Sequence, residues 1–223
     1  MTRSCFVTGT DTGVGKTFAS VALLHALRAR GLRAVGMKPV ASGCEATAQG
    51  WRNEDALALL AASDPVPAYA DVNPYALPAA TAPQLAARDA GAAVELTPIL
   101  SAYARLASVA DAMVVEGVGG WAAPLADGFD QAALVRAIDA DVVLVVGLRL
   151  GCLSHARLTA RAVQADGCRL VGWIGNRVDP AFERVGDYLG LLRDALTVPC
   201  LGVLAHVAEG EGIGAAPDLA LPF

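Results

Sequence analysis

A glycine-rich loop between an apolar strand and an apolar-faced helix is the feature that most limits the fold. Residues 3–8 predict a β-strand and residues 16–30 a helix that Gly31 ends. The loop reads Gly9-Thr10-Asp11-Thr12-Gly13-Val14-Gly15-Lys16-Thr17. Glycines let backbone N–H groups face phosphate oxygens, Lys16 can reach the outer phosphates, and the Thr17 hydroxyl can bind Mg²⁺. The loop therefore predicts a phosphate site, although five residues rather than the usual four separate Gly9 from Gly15.

The alternative for this segment is a glycine-rich turn with Lys16 as a solvated residue of the first helical turn. A cation at a helix N-terminus is electrostatically misplaced unless an anion binds there. This argument favours the phosphate site.

The rest of the chain continues the alternation of strands and helices. Strands are predicted at residues 33–40, 112–116, 141–148, 169–175 and 200–204. Helices are predicted at 53–62, from about 83, at 97–110 after the N-cap Thr97, at 130–139 after Asp130, after Ser154, and at 180–196. Residues 41–52 read as a polar loop, and the proline-containing residues 63–82 as an irregular surface excursion.

The order of these elements predicts an α/β fold. We expect a single domain over residues 1–223, with a doubly wound, mainly parallel sheet, helices on both faces, and the character of a P-loop NTPase. Functional side chains should then lie at the carboxyl ends of the strands.

Composition excludes several other classes of protein. Hydrophobic residues are 55% of the chain and charged residues 17%, which excludes a disordered chain. The net charge of −5 without a charge run argues against nucleic-acid or membrane-surface binding. The strongest apolar run, residues 142–148, is far shorter than the roughly 18 residues of a membrane span. With no secretory signal and five scattered cysteines without a CxxC pair, we expect a cytoplasmic protein lacking disulfides and zinc.

Lysine is rare in this chain. Of the 17 basic residues, only Lys16 and Lys38 are lysines. Lys38 ends the second predicted strand, which neighbours the first in most doubly wound sheets, and Ser42 and Gly43 follow it. A compact point charge is suited to places where a planar guanidinium is not. We therefore favour a role for Lys38 in the phosphate cleft over a solvated lysine at a strand end.

Two carboxylates are candidate Mg²⁺ ligands. Glu116 closes a buried strand and precedes Gly117-Val118-Gly119-Gly120, although a charged residue at a strand end is also common on surfaces. Asp55 lies in the first turn of a helix, where it could equally complement the helix dipole. The three histidines and five cysteines have no partners that suggest catalysis. Lysines and carboxylates around nucleotide phosphates suit phosphoryl transfer to an anionic acceptor.

Six segments together resemble the dethiobiotin synthetase family. They are Gly9 through Thr17 with its longer loop, Lys38-Pro39-Val40-Ala41-Ser42-Gly43, Arg52-Asn53-Glu54-Asp55-Ala56-Leu57, Val72-Asn73-Pro74-Tyr75, Val115-Glu116-Gly117-Val118-Gly119-Gly120-Trp121, and Leu150-Gly151-Cys152-Leu153-Ser154-His155. The resemblance implies a cytoplasmic homodimer that uses ATP and Mg²⁺. The implied reaction joins 7,8-diaminononanoate and CO₂ into the cyclic urea of dethiobiotin through a carbamate and a carbamic-phosphoric anhydride.

The resemblance also implies roles for matching residues. It implies nucleotide phosphates on Thr12, Gly13, Val14, Gly15, Lys16 and Thr17, Mg²⁺ on Thr17, Asp55 and Glu116, and catalytic assistance from Lys38, Lys16 and Thr12. It implies adenine recognition by Asn176, with Ala205, Glu209 and Glu211 as candidates for contacts to the base or ribose. It implies contacts to the diamine from Ser42, Gly119, Gly151, Cys152, Leu153, Ser154 and Tyr188. Of this region, Cys152 to His155 and Tyr188 are implied to act across the dimer.

The chain departs from the family pattern at two places. Gly13 stands where many members carry Glu, and Leu204-Ala205-His206 replaces a frequent Ile-Pro segment, which leaves nucleotide selectivity open. A partner-switching ATPase of the cell-division or plasmid-partitioning type is an alternative, but it places a lysine early in the loop and residues 9–14 contain none. A relative of the cobyrinic acid amidases would need a glutaminase domain, for which 223 residues leave no room.

Overall fold

The computed structural model describes residues 2–207 and 219–223. In chain order the strands are β1 (Arg3–Gly9), β2 (Ala34–Met37), β3 (Val40–Ser42), β4 (Glu45–Thr47), β5 (Gly50–Arg52), β6 (Tyr75–Leu77), β7 (Ala112–Gly120), β8 (Pro124–Ala126), β9 (Phe129–Asp130), β10 (Asp141–Gly147), β11 (Leu170–Asn176) and β12 (Cys200–Leu204). The helices are α1 (Lys16–Ala29), α2 (Glu54–Ala62), α3 (Tyr69–Val72), α4 (Pro83–Asp89), α5 (Leu96–Ala107), α6 (Gln131–Ile138), α7 (Cys152–Ala165) and α8 (Val185–Ala195).

Six strands form the central sheet in the order β12-β11-β10-β1-β7-β2, and every pairing is parallel. The predicted α/β fold with a parallel sheet is confirmed. The prediction that the second strand neighbours the first is wrong, because β7 lies between them and pairs with both. β7 has nine residues, the first six buried, so it can fill an interior position, whereas β2 has only four residues and forms the edge.

Helices cover both faces of this sheet. On one face Phe6, Val115 and Leu144 belong to a core that includes residues of α5, α6, α7 and α8. On the other face Val7 and Val114 pack into a core with α1 and α2. The two predicted layers of helices are therefore present. None of the described helices is long and apolar enough to cross a membrane.

Three predicted helix starts are wrong. Helix α5 begins at Leu96, so Thr97 is inside it, and the helix ends at Ala107 rather than at residue 110. Helix α7 begins at Cys152, so Ser154 is not its cap; Gly151 takes the N-cap position with φ 95°, a conformation that glycine adopts without strain. Helix α8 begins at Val185 rather than at residue 180, because residues 180 and 181 form a turn before it.

Two segments that we predicted to be irregular carry short elements. Strands β4 and β5 form a hairpin inside the predicted loop 41–52, and the excursion 63–82 contains α3 and β6. β6 pairs with β3, which begins at Val40, the last residue of the predicted second strand. The pairing of β3 with β6 joins segments that are distant in sequence, so local residue patterns do not reveal it, whereas the β4–β5 hairpin is local and was missed.

The side-chain cap predicted at Asp130 is present, and α2 has a cap, Asn53, that was predicted only as the first residue of the helix. Asn53 precedes α2, and its side chain accepts a hydrogen bond from the backbone N–H of Ala56. Asp130 precedes α6 and accepts from the N–H of Ala133. Such a cap contributes about 1 kcal/mol to helix stability and fixes where the helix begins.

Candidate active site

The glycine-rich loop joins β1 to α1 at the carboxyl edge of the sheet. Gly13 and Gly15 have φ of 72° and 82°, and the Val14 side chain between them is buried. α1 has neither a side-chain cap nor an acidic residue in its first turn. Its first backbone N–H groups therefore face the loop without side-chain acceptors, which is the arrangement that binds phosphate.

Lys16 is buried at the start of α1, and its Nζ donates to the backbone carbonyl of Asp11 at 3.1 Å. Burial lowers the pKa of Lys16 to about 8, and the positive charge of Lys38 contributes in the same direction. An anionic ligand would relieve this repulsion between two cations in one cleft.

Lys38 is the centre of an ion cluster in which Lys38 and Glu116 are buried and Asp55 is partly exposed. Its Nζ lies 2.6 Å from Glu116 Oε1 and 2.9 Å from Asp55 Oδ2, and it donates to the carbonyl of Gly117 at 3.2 Å. Lys38 is 3% exposed and Glu116 only 1%. Burial disfavours the charged lysine, but the two carboxylates raise the pKa of Lys38 above its ordinary value. Burial likewise opposes ionisation of Asp55, yet Lys38 holds the pKa of that carboxyl below its ordinary value.

Glu116 lies inside β7 rather than at its end, which corrects the predicted strand end at residue 116. The strand continues through Gly117 to Gly120 and, after an irregularity in the pairing, joins β1 again at Gly9. Within this segment Gly117 has no room for a side chain, since a Cβ there would lie 2.2 Å from Gln131 Oε1. Glu116 still reaches the cleft from this interior position.

The oxygen atoms beside Lys38 suit a divalent cation. The Thr17 hydroxyl donates to Glu116 Oε1 at 2.9 Å, while the buried Oε2 of Glu116 has no hydrogen-bond partner among the described residues. No group of three or more His, Cys, Asp and Glu side chains able to hold a metal occurs in residues 2–207 and 219–223. Two carboxylates and a hydroxyl nevertheless fit Mg²⁺, which usually takes few protein ligands and completes its shell with phosphate and water.

A cavity of about 370 Å³ brings the predicted residues together. It is lined by Thr12, Gly13, Gly15, Lys16, Thr17, Lys38, Ala41, Ser42, Asn53, Asp55, Glu116, Val118 and Gly119. The phosphate loop, both lysines, the candidate metal ligands, and Ser42 and Gly119 thus share one space. A larger depression of about 450 Å³ lies between α7 and α8, and no phosphate-loop residue lines it. We place the chemistry in the smaller cavity because the buried charges face it.

Asn176 lies at the carboxyl end of β11, against the phosphate loop. Its Nδ2 donates to the carbonyl of Val14 at 3.0 Å. Ala205 is exposed and directly follows Leu204, the residue that pairs with Asn176 across β11 and β12. Glu209 and Glu211 lie outside the described residues.

The remaining predicted contacts do not line this cavity within the chain. Gly151, Cys152, Leu153 and Ser154 form the start of α7, where Cys152 is buried and Ser154 is exposed. Tyr188 on α8 packs its ring on Phe182, with centroids 4.7 Å apart.

The ion pair of Asp11 and Arg149 is a feature that sequence reasoning missed. Arg149 Nη2 lies 2.8 Å from Asp11 Oδ2, which connects the phosphate loop to the segment before α7. The other Asp11 oxygen accepts from the backbone N–H of Thr12 at 2.7 Å. The sequence did contain a signal for this pair. Asp11 is an acidic residue in a loop expected to bind anions, and such a residue needs a nearby cation to offset its charge.

Gln131 was also missed. Its buried amide accepts from the N–H of Val118 at 3.1 Å and donates to the carbonyls of Gly120 and Trp121 at 2.6 and 3.2 Å. These bonds hold the end of β7, residues 117–120, which carries Gly119. No local pattern marks this role, because a glutamine in the first turn of a helix is common.

The fold and this cavity define a P-loop nucleotide-binding protein. The fold is similar to that of a ParA family ATPase from Chlorobium tepidum, with a TM-score of 0.57, 13% identity, and coverage of 93% of this chain and 86% of that one. It is also similar to the signal recognition particle receptor FtsY from Elizabethkingia anophelis, with a TM-score of 0.55 and 19% identity. That match covers 99% of this chain, which spans 62% of the FtsY chain. These likenesses concern the fold alone.

Sequence comparison defines the family more narrowly. A family model described as an AAA domain matches residues 3–211. The ATP-dependent dethiobiotin synthetase BioD of Xanthomonas oryzae pv. oryzae is 62% identical over 217 residues, 97% of each chain. The protein of the same name from Xylella fastidiosa is 61% identical over 205 residues, 92% of this chain and 91% of that one. The chain belongs to the ATP-dependent dethiobiotin synthetase family, and it is an enzyme.

Proposed function

We propose that this enzyme is a cyclo-ligase that joins 7,8-diaminononanoate and CO₂ into dethiobiotin, with ATP converted to ADP and phosphate. The observation that carries the proposal is the pair of buried lysines, Lys16 and Lys38, facing one cavity with the phosphate loop. Two cations at a phosphate site suit a reaction whose acceptor is itself anionic. The names of the relatives support the same reaction within biotin synthesis.

The proposed reaction has three steps. One amine of the substrate bonds to the carbon of CO₂ and loses a proton, giving a carbamate. A carbamate oxygen then attacks the γ-phosphorus of ATP, and ADP leaves. The second amine attacks the carbamate carbon and loses its proton, phosphate leaves, and the ring closes. Holding both reactants in one cavity makes this closure effectively unimolecular.

The chain's own residues act on the charge that develops. Lys38 is positioned to offset the negative charge of the carbamate, and Lys16 that of the transferred phosphoryl group. Both act in a cavity of lowered dielectric, where electrostatic stabilisation exceeds its strength in water. Thr12 and the loop N–H groups orient the phosphates. The proposed reaction requires no protein nucleophile.

Mg²⁺ would be held by Thr17, Asp55 and Glu116, and when bound it neutralises charge on phosphate oxygens.

We propose that Asn176 and Ala205 recognise adenine, since Ala205 adjoins the strand end that carries Asn176. Glu209 and Glu211 stay candidates for the base or ribose. Ser42 and Gly119 line the cavity and are proposed to contact the diamine.

Replacing Glu116 by Gln is expected to raise the Mg²⁺ concentration for half-maximal turnover by about tenfold or more. The substitution removes the negative charge of this carboxylate, whose buried Oε2 has no hydrogen-bond partner among the described residues. The measurement is a Mg²⁺ titration of turnover, together with the Mg²⁺-induced shift in melting temperature. Glu54→Gln, an exposed acidic residue beside Asp55, is the matched control. Unchanged Mg²⁺ titrations in Glu116→Gln would exclude Glu116 as a ligand.

We further propose that the enzyme is a homodimer in which Cys152 through His155 and Tyr188 contact the substrate of the partner subunit. These residues do not line the cavity of their own chain, which supports a role across an interface. Lys38→Met and Tyr188→Ala should each be nearly inactive alone. After mixing and subunit exchange, mixed dimers would hold one intact site, and activity should recover up to about a quarter of the wild-type rate. No recovery in a dimer shown to exchange would contradict the shared site.

The direct test of the function is ADP release with ATP, Mg²⁺ and bicarbonate, with and without 7,8-diaminononanoate. We expect ADP release to depend on the diamine and the product to have the mass of the cyclic urea. ADP release that is independent of the diamine would contradict the ligase and favour a nucleotide-switch ATPase.

A further inference from the structure

The backbone of Lys38 is held by a segment that does not line the cavity. Lys38 lies between β2 and β3, outside either strand. Its N–H donates to the carbonyl of Val72 at 2.8 Å, and its own carbonyl accepts from Asn73 Nδ2 at 2.7 Å. Both backbone groups of the central lysine are therefore fixed by residues 72 and 73. Asn73 is 3% exposed, so water does not compete for these bonds.

The hydroxyl of Tyr69 connects this segment to the helix that carries Asp55. It donates to Asn73 Oδ1 at 3.0 Å and accepts from the backbone N–H of Asn53 at 2.8 Å. Asn53 is the N-cap of α2, so its position sets the position of Asp55 two residues later. Asp55 in turn pairs with Lys38 at 2.9 Å. The hydrogen bonds of Asn73 and Tyr69, the short chain segment from Asn53 to Asp55, and this ion pair together form a closed circuit that begins and ends at Lys38.

The surroundings of Tyr69 suit a fixed, neutral hydroxyl. The Arg52 guanidinium lies over its ring, 4.1 Å from the centroid. Burial raises the pKa of Tyr69 above its ordinary value, so the hydroxyl keeps the proton that it donates to Asn73. Neither Tyr69 nor Asn73 is among the residues that line the cavity.

We propose that Tyr69 and Asn73 are positioning residues. They hold the Lys38 ammonium and the Asp55 carboxylate at the relative positions that phosphoryl transfer needs, without touching substrate. The part played in turnover rests on the proposed function, but the positioning of Lys38 does not. Removing the Tyr69 hydroxyl leaves the N–H of Asn53 and the Oδ1 of Asn73 without their partner, so the circuit opens at two points.

The chain offers a closely matched control for Tyr69→Phe. The hydroxyl of Tyr75 accepts from the N–H of Glu95 at 3.1 Å, and Glu95 is the N-cap of α5, away from the cavity. Tyr75→Phe therefore removes the same type of bond to an N-cap residue. We expect Tyr69→Phe to lower kcat about tenfold with little change in the KM for ATP, and Tyr75→Phe to leave kcat within about twofold.

A second measurement does not depend on turnover. Because the chain has only two lysines, side-chain ¹⁵N labelling of lysine gives two ammonium signals in NMR spectra, which Lys38→Met assigns. We expect the Lys38 signal to shift or broaden in Tyr69→Phe and in Asn73→Ala, and to be unchanged in Tyr75→Phe.

An unchanged Lys38 signal in Tyr69→Phe, or equal kcat values in the two phenylalanine variants of an active enzyme, would overturn the positioning role. If the wild-type enzyme shows no turnover that depends on the diamine, the proposed function fails. The NMR comparison still decides whether the circuit holds Lys38.

Discussion

Lys38→Arg is expected to lose turnover by about 100-fold or more, although it keeps the positive charge. The ammonium of Lys38 lies within 3.2 Å of three oxygen atoms, and the residue is 3% exposed. A planar guanidinium is wider and points its donors in a fixed fork, so it cannot take the place of a point charge in this buried position.

The measurement for Lys38→Arg is steady-state turnover with saturating ATP and diamine. Arg105→Lys tests the reverse exchange in the ion pair with Asp71 at the protein surface, and should leave turnover near the wild-type value. Near wild-type turnover in Lys38→Arg would contradict the role of Lys38 as a positioned point charge.

Gly15→Ala is expected to weaken ATP binding by about 100-fold or more. Gly15 has φ 82°, and a Cβ there would lie 2.0 Å from Asn176 Nδ2. Asn176 would have to move, which breaks its hydrogen bond to the carbonyl of Val14 and disturbs the phosphate loop. The side chain proposed to recognise adenine would be displaced at the same time.

Gly13→Ala is the control for Gly15→Ala. Gly13 lies in the same loop with a similar φ of 72°, but a Cβ there meets no atom within 4 Å. The two variants share the backbone strain and differ in the clash with Asn176. ATP affinity measured by calorimetry should fall far less in Gly13→Ala, by about tenfold at most. Equal loss in both variants would show that strain alone is responsible and that Asn176 does not support the loop.

The phosphate loop and its neighbours could be predicted because each carries a local signal. The strand, glycines and Lys16-Thr17 follow one another in sequence, and the scarcity of lysine singles out Lys38. Lys38 follows Met37, which pairs with Val115 on the neighbouring strand β7, so Lys38 and Glu116 meet although 78 residues separate them. Asp55 lines the cavity, a placement that its position in a first helical turn left undecided.

Other features could not be predicted because they depend on distant contacts. The place of β7 between β1 and β2 follows from packing of the whole sheet. Serine often caps helices, so we predicted that α7 starts after Ser154, but Gly151 at φ 95° already occupies the N-cap position. The bond between Tyr69 and Asn53 and the ion pair of Arg149 with Asp11 join segments whose spacing has no pattern. The single domain, the cytoplasmic location and the lack of nucleic-acid binding stay predictions.

We propose that the γ-phosphoryl group of ATP is transferred in the cavity to a carbamate oxygen. The most direct test supplies ¹⁸O-labelled CO₂ with ATP and the diamine in unlabelled water, quenched before the label exchanges. In the proposed reaction the phosphate leaves with the oxygen that bridged it to the carbamate carbon. We predict that the released phosphate carries one labelled oxygen atom and that the cyclic urea retains the other. Phosphate without label, formed at the same rate as the product, would contradict phosphoryl transfer to the carbamate.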